Sequence, residues 1–130
     1  MKILVVDDDP TTRKLLSFYL KSKGYEAVTA ENGLDAIEKL GMDPVNLIMS
    51  DINMPYMDGL EFVKNVRANT SWAHIPILMV STEADADEQQ RAYNAGANGY
   101  LVKPVTAEMV TEKIKQLLKE IFAQGGDAHA

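Results

Sequence analysis

Lys2-Ile3-Leu4-Val5-Val6-Asp7-Asp8-Asp9-Pro10, beginning one residue in from the amino end, is the stretch that decides the fold. Its apolar, β-branched run over Lys2 to Val6 predicts a short buried strand. Asp9 then offers a helix N-cap and Pro10 a proline at the first helical position, so the strand passes directly into a helix. The same grammar repeats down the chain. A run over Glu26 to Ala30 leads to Asn32 and a helix carrying Leu34, Ile37 and Leu40, which Gly41 is expected to close. Asn46 to Ser50 reads as a third strand, followed by a loop over Asp51 to Asp58 and a helix with Leu60, Val63 and Val66 on one face. Ile75 to Val80 predicts the fourth strand, Ala86 to Ala95 a polar, alanine-rich helix, and Gly99 to Val102 the fifth strand. From Thr106 onward, Val110, Ile114, Leu117, Leu118 and Ile121 recur at helical spacing.

Strands alternating with helices imply a parallel sheet covered on both faces, because right-handed crossovers place the helices there. The expected fold class is α/β: a single doubly wound five-stranded parallel sheet, flavodoxin-like, in the order 2-1-3-4-5. At 130 residues and 46% hydrophobic, the chain can bury one sizeable core and is too short for two ordinary domains. Residues 1–123 are expected to form that domain and 124–130 a disordered tail, since Gln124 to Ala130 has too little apolar content to pack. The absence of cysteine excludes disulfides and thiolate metal sites and suits a reducing cytoplasm. The first apolar run stops at three aspartates, far short of a membrane span, so a soluble, cytoplasmic protein without membrane insertion is expected. A net charge of -6 disfavours nucleic acid as a partner, whose binding draws on lysines and arginines.

In an open sheet of this order, ligands bind beyond the carboxyl ends of strands 1 and 3. Those ends carry Asp7, Asp8 and Asp9 on one side and Asp51 on the other. Converging carboxylates repel one another unless a cation neutralises them or some are protonated. A divalent metal is the simplest resolution: all-oxygen ligands favour Mg²⁺, and Mn²⁺ fits the same set. A carboxylate beside such a cation can attack phosphorus, and Asp51, at the mouth of strand 3, is the best candidate, with Asp7 and Asp8 as ligands. Aspartates after strands are also ordinary turn formers and caps, and Asp9 is read as a cap alone. What favours chemistry is that strands 4 and 5 end in Ser81 and Lys103, a hydroxyl and an ammonium able to bind phosphoryl oxygens.

Together, Val5-Val6-Asp7-Asp8, Ser50-Asp51-Ile52-Asn53-Met54-Pro55-Tyr56-Met57-Asp58-Gly59, Val80-Ser81 and Lys103-Pro104 resemble the receiver domain of two-component response regulators over nearly the whole chain. The sheet order leans on that family as well, since its chemotaxis regulator is a standing example of 2-1-3-4-5. The resemblance implies that Asp51 accepts the phosphoryl group from a sensor histidine kinase and that the domain itself catalyses the transfer and the later hydrolysis. It implies that Asp7, Asp8 and Asp51 hold Mg²⁺ with the backbone carbonyl of Asn53, and that Ser81 and Lys103 hold phosphoryl oxygens. Ser81 and Tyr100 would form the switch, Asn53 and Glu83 would modulate dephosphorylation, and a cis peptide before Pro104 would aim Lys103 at the site. His74 and His129 stand outside this machinery. Thr82, where many receivers carry a smaller residue, narrows access to Asp51 in this reading and leaves phosphodonor preference open.

Among receivers, Asn53, Val80-Ser81-Thr82-Glu83 and Gly99-Tyr100-Leu101-Val102-Lys103-Pro104 look most like chemotaxis regulators acting on a flagellar motor switch. The partner surface is then the face of the Ala86 to Ala95 helix, strand 5 and the last helix. A phosphorelay intermediate is the alternative within the family. Outside it, Asp7-Asp8-Asp9-Pro10-Thr11 also fits the DxDxT signature of haloacid-dehalogenase-like phosphatases with Asp7 as nucleophile, although no acidic metal motif follows Lys103. A flavin module of the same fold is disfavoured, because three aspartates after strand 1 would repel a phosphate.

Overall fold

Alternation along the central strands builds two cores, one on each side of the sheet. Leu4, Val6, Ile48, Ile77, Met79 and Tyr100 face one of them, and Ile3, Val5, Leu47, Met49, Leu78 and Val80 the other. The strands are β1 (Lys2–Val6), β2 (Glu26–Ala30), β3 (Leu47–Ser50), β4 (Ile77–Ser81) and β5 (Gly99–Val102). They pair in parallel in the order β2-β1-β3-β4-β5, as expected from the sequence. Helices α1 (Pro10–Ser22) and α5 (Ala107–His129) close the second core through Leu16, Leu20, Val110, Ile114 and Leu117. Helices α2 (Gly33–Met42), α3 (Gly59–Ala68) and α4 (Ala86–Ala95) cover the first, through Ala36, Leu40, Phe62, Val63, Val66 and Ala92. The structure, a computed structural model, describes residues 1–129 and the side chains of 1–123; the tail expected over 124–130 lies outside the described side chains. Among the described residues no helix is long and apolar enough to cross a membrane.

Several boundaries differ from the sequence expectation, each for a local reason. Gly41 does not close α2; the helix continues to Met42, and the Asp43 amide donates back to the Lys39 carbonyl at 3.1 Å. Leu34 lies off the buried stripe of α2 and is exposed, its place taken by Ala36. Strand β4 begins at Ile77 rather than Ile75, because Pro76 has no amide to donate and Ile75 closes a turn onto Trp72. It runs one residue further than expected, to Ser81, which pairs with Val102. Asp9, Asn32, Asp58 and Asp85 each cap a helix with a side-chain oxygen, so every entry from the carboxyl edge of a strand into α1 to α4 is fixed by a capping bond.

Candidate functional site

Each acidic strand end is held by one ladder bond beyond the last paired residue. The Asp7 amide donates to the Ala30 carbonyl at 3.1 Å and the Asp51 amide to that of Val6 at 2.9 Å. On the other side of the site the Lys103 amide donates to the Ser81 carbonyl at 2.8 Å. The sheet thus sets the backbone of Asp7, Asp51 and Lys103 directly, which rigidly mounted chemistry requires. The Lys103–Pro104 peptide bond is cis, as the family resemblance implies.

Carboxylate oxygens of Asp7, Asp8 and Asp51 lie within 4.8 Å of one another. Asp7 is buried, Asp51 half-buried and Asp8 exposed, so the cluster grades from the sheet out to solvent. The Lys103 ammonium sits inside it, donating to Asp7 Oδ2 at 2.8 Å and to Asp51 Oδ2 at 3.1 Å. The other oxygen of each is met by backbone: Asp9 N–H donates to Asp7 Oδ1 at 2.9 Å and Ile52 N–H to Asp51 Oδ1 at 2.7 Å. Burial works to depress the Lys103 pKa, but the bond to Asp7 and the charges of Asp51 and Asp7 outweigh it and the net shift is upward. One ammonium against three carboxylates leaves negative charge uncompensated. Hard oxygen donors around such charge fit Mg²⁺ or Mn²⁺, with Asp8 open to a water-bearing ion.

Period-two alternation sends Ser81 to the α3/α4 side with Tyr100, and Thr82 to the α1/α5 side. Ser81 is fully buried, and its hydroxyl accepts from the Glu83 amide at 3.2 Å. Tyr100, 7% exposed, donates its phenol to the Glu83 carbonyl at 2.7 Å. Burial pushes that phenol's pKa up, with the neighbouring Ser81 hydroxyl acting against it. Ser81, Glu83 and Tyr100 therefore form one bonded unit under the start of α4. Asn53 joins it from the β3–α3 loop, donating from Nδ2 to Glu83 Oε1 at 3.3 Å. Thr82 is exposed and lines an apolar recess with Leu15, Lys103 and Pro104. Asp9 accepts from Thr12 Oγ1 at 2.6 Å and from the Thr12 amide at 3.2 Å, which makes it the α1 cap. His74 precedes β4, at the opposite edge of the sheet.

Two residues join the site through backbone contacts that sequence does not show, one of them Gly59, the last residue of the Ser50 to Gly59 segment. Arg13, on α1, donates from a terminal nitrogen to the Asp7 carbonyl at 2.7 Å, a contact made only once α1 lies beside β1. Gly59 opens α3, and a Cβ there would stand 2.1 Å from the Asp51 carbonyl oxygen, with the Gly59 amide already bonded to the Ile52 carbonyl at 2.7 Å. Because the obstacle is backbone, Gly59→Ala cannot be absorbed by a side-chain rotation. It is expected to cost about 3 kcal/mol, at the upper end of overpacking penalties, measured by urea unfolding. A loss below about 0.5 kcal/mol would mean that the β3–α3 loop yields and does not fix Asp51.

A sheet of this order with its acids and lysine gathered at one edge defines a receiver-type domain. Residues 3–115 match the response regulator receiver domain, and the chain belongs to that family. It is similar to the chemotaxis protein CheY1 of Helicobacter pylori, 43% identical over 120 residues, covering 91% of this chain and 97% of that one. To the chemotaxis protein CheY-3 of Vibrio cholerae it is 37% identical over 122 residues, covering 93% and 94% respectively. Among solved structures, the chemotaxis response regulator CheY4 of Vibrio cholerae superposes with a TM-score of 0.85 at 39% identity, covering 89% of this chain and 97% of that one. A CheY-like receiver domain protein from Methanospirillum hungatei gives 0.86 at 30% identity, covering 95% and 97%. Family membership sets aside the phosphatase and flavin readings, and Asp7, at 1% exposure more deeply buried than the half-buried Asp51, is the less accessible of the two as a nucleophile.

Proposed function

We propose that this protein is a chemotaxis-type response regulator that accepts a phosphoryl group from a sensor histidine kinase onto Asp51, in a Mg²⁺-dependent reaction in the cytoplasm. The observation that carries the reading is the convergence of Asp7, Asp8 and Asp51 within 4.8 Å, with Lys103 bonded to two of them. An Asp51 carboxylate oxygen attacks phosphorus, an O–P bond forms, and the P–N bond to the donor imidazole breaks. Lys103 is released from Asp51 to the new phosphoryl oxygens, and the Ser81 hydroxyl turns from the Glu83 amide toward them. Asp7, Asp8, Asp51 and the Asn53 carbonyl are the residues that would hold the divalent cation. When bound, it offsets the charge of the transferring group.

Movement of Ser81 breaks the bonded unit that includes Glu83 and Tyr100, just where α4 begins. Only Ala92 of α4 is buried, so that helix is lightly anchored and suited to shift with the loop. The output in this reading is phosphorylation-dependent binding of a protein target, such as a flagellar motor switch, to the α4, β5 and α5 face.

Intact-protein mass after incubation with acetyl phosphate and Mg²⁺ tests the acceptor and the metal together. The expected result is a gain of one phosphoryl group that EDTA prevents and Asp51→Asn abolishes. Uptake by the Asp51→Asn variant equal to the parent's would overturn the assignment. Lifetime then separates signalling roles. The exposed Asn53 amide and the Glu83 carboxylate flank the site and leave it open to water, so phospho-Asp51 is expected to decay within minutes without a phosphatase. Persistence for hours would favour a phosphorelay intermediate.

A further inference from the structure

On the outer flank of α1, beside the acidic cluster that Arg13 touches through the Asp7 carbonyl, the chain reverses its electrostatic character. Pro10, Arg13, Lys14, Ser17 and Lys21 recur at helical spacing and, with Phe18 and Thr29 of β2, line a groove of about 470 Å³. Three of its seven lining residues are cationic and none is acidic, on a chain of net charge -6. Arg13 is partly committed: it donates to the Asp7 carbonyl and lies 3.9 Å from Glu31. Lys14 and Lys21 are exposed and form no ion pair among the described residues, so their charge is available to the groove.

Ser17 provides the second, independent observation. It is 9% exposed, and among the described residues its hydroxyl is the one buried side-chain polar atom without a hydrogen-bond partner. A helical serine commonly bonds back to the carbonyl four residues earlier, and no such bond forms here. A buried hydroxyl without a partner is costly, which makes it a donor suited to an incoming oxygen. At the rim, Phe18 is 67% exposed, a large apolar ring with nothing packed over it.

We propose that this groove binds a small organic phosphate carrying a flat ring, of about mononucleotide size. Lys14 and Lys21 hold the phosphate as point charges, the Ser17 hydroxyl rotates outward to donate to one phosphate oxygen, and the ring lies on Phe18. The volume falls within the range of small-molecule sites, roughly 300–1,000 Å³. Phosphate is favoured over a single carboxylate because two lysines and a hydroxyl line the same groove, which matches an anion with several acceptor oxygens. The groove is separate from the phosphoryl site, where without a cation the carboxylates repel a phosphate.

The test is a titration of the full, metal-free chain in EDTA at fixed ionic strength, followed by amide chemical shifts. AMP, ribose 5-phosphate and adenosine are the probes. AMP is expected to give saturating shifts at Ser17, Phe18 and Thr29, ribose 5-phosphate to bind several-fold more weakly, and adenosine not to bind. Lys14→Ala combined with Lys21→Ala, both at exposed positions, should weaken AMP by about tenfold or more. Shifts that fail to saturate by about 10 mM, or that persist unchanged in the double variant, overturn the site. Equal affinity for AMP and ribose 5-phosphate overturns the contact with Phe18. Since the readout is on α1 and β2 and no metal is present, failure here leaves the Asp51 assignment untouched.

Discussion

If Asp51 is the phosphoacceptor as proposed, Lys103→Met is expected to bind Mg²⁺ more tightly than the parent protein and to accept a phosphoryl group from acetyl phosphate about 100-fold more slowly. The two effects separate because Lys103 plays opposite parts in the two states. Before reaction its ammonium is the counterion of the cluster, 2.8 Å from Asp7 Oδ2 and 3.1 Å from Asp51 Oδ2. A divalent cation must compete with it for the same oxygens, so removing it leaves the carboxylates less compensated and the ion more strongly attracted. In the proposed transfer the same ammonium would be a preorganised donor to developing phosphoryl charge, and loss of one such donor typically costs 10²–10³ in rate, on the order of 3–4 kcal/mol. Methionine keeps most of the stem lining the apolar recess beside α1, so lost charge rather than lost volume is read. Calorimetric titration with Mg²⁺ and the rate of mass gain are the two measurements. Weaker metal binding in the variant would show that Lys103 assembles the carboxylates instead of competing for them.

What sequence discloses and what it withholds follow from the range of the interactions involved. The five strand-to-helix units are local statements: a β-branched run, an aspartate or asparagine that caps, a stripe at helical spacing. The switch-point rule then converts strand order into a place, and Asp7, Asp8, Asp51, Ser81 and Lys103 arrive at one edge of the sheet. Boundaries shift where a neighbour competes with local preference, as when Ala36 rather than Leu34 faces the sheet in α2. Wholly illegible are contacts to backbone from a distant element. Arg13 and Gly59 both act on main-chain oxygens, Asp7 O and Asp51 O, and a carbonyl carries no side-chain signature. Such partners emerge only after the elements are packed.

Arg67 is the strongest case of that blindness and carries the second large expectation: Arg67→Met destabilises the fold by about 3 kcal/mol. The guanidinium leaves the last turn of α3 and enters a nest of acceptors. Nε donates to the Gly96 carbonyl at 2.9 Å, one terminal nitrogen to the carbonyls of Ala73 and Ile75 at 3.0 and 2.7 Å, and the other to Asn98 Oδ1 at 2.8 Å. Asn98 Oδ1 also accepts from the Ile77 amide at 2.8 Å, so the knot pins the first residue of β4. No carboxylate joins it among the described residues, and desolvation lowers the arginine pKa. Gly96, at φ 123°, completes the fit, since a Cβ there would stand 2.6 Å from the Arg67 stem. Removing the fork strands the carbonyls of Ala73 and Ile75 on the approach to β4 and that of Gly96 after α4, and leaves Asn98 Oδ1 with the Ile77 amide alone. Hydrogen bonds to a charged group contribute about 1.5–3 kcal/mol each but share one side chain, so the total stays well below their sum. The melting temperature should fall by roughly 10 °C. Arg67→Lys should recover less than half of the loss, because a single ammonium cannot reproduce a planar fork that reaches four oxygens. Urea unfolding of both variants measures this. A loss under about 1 kcal/mol for methionine would mean that water satisfies the carbonyls in place of the arginine, and that the α3–α4 side of the domain holds together by its apolar contacts alone.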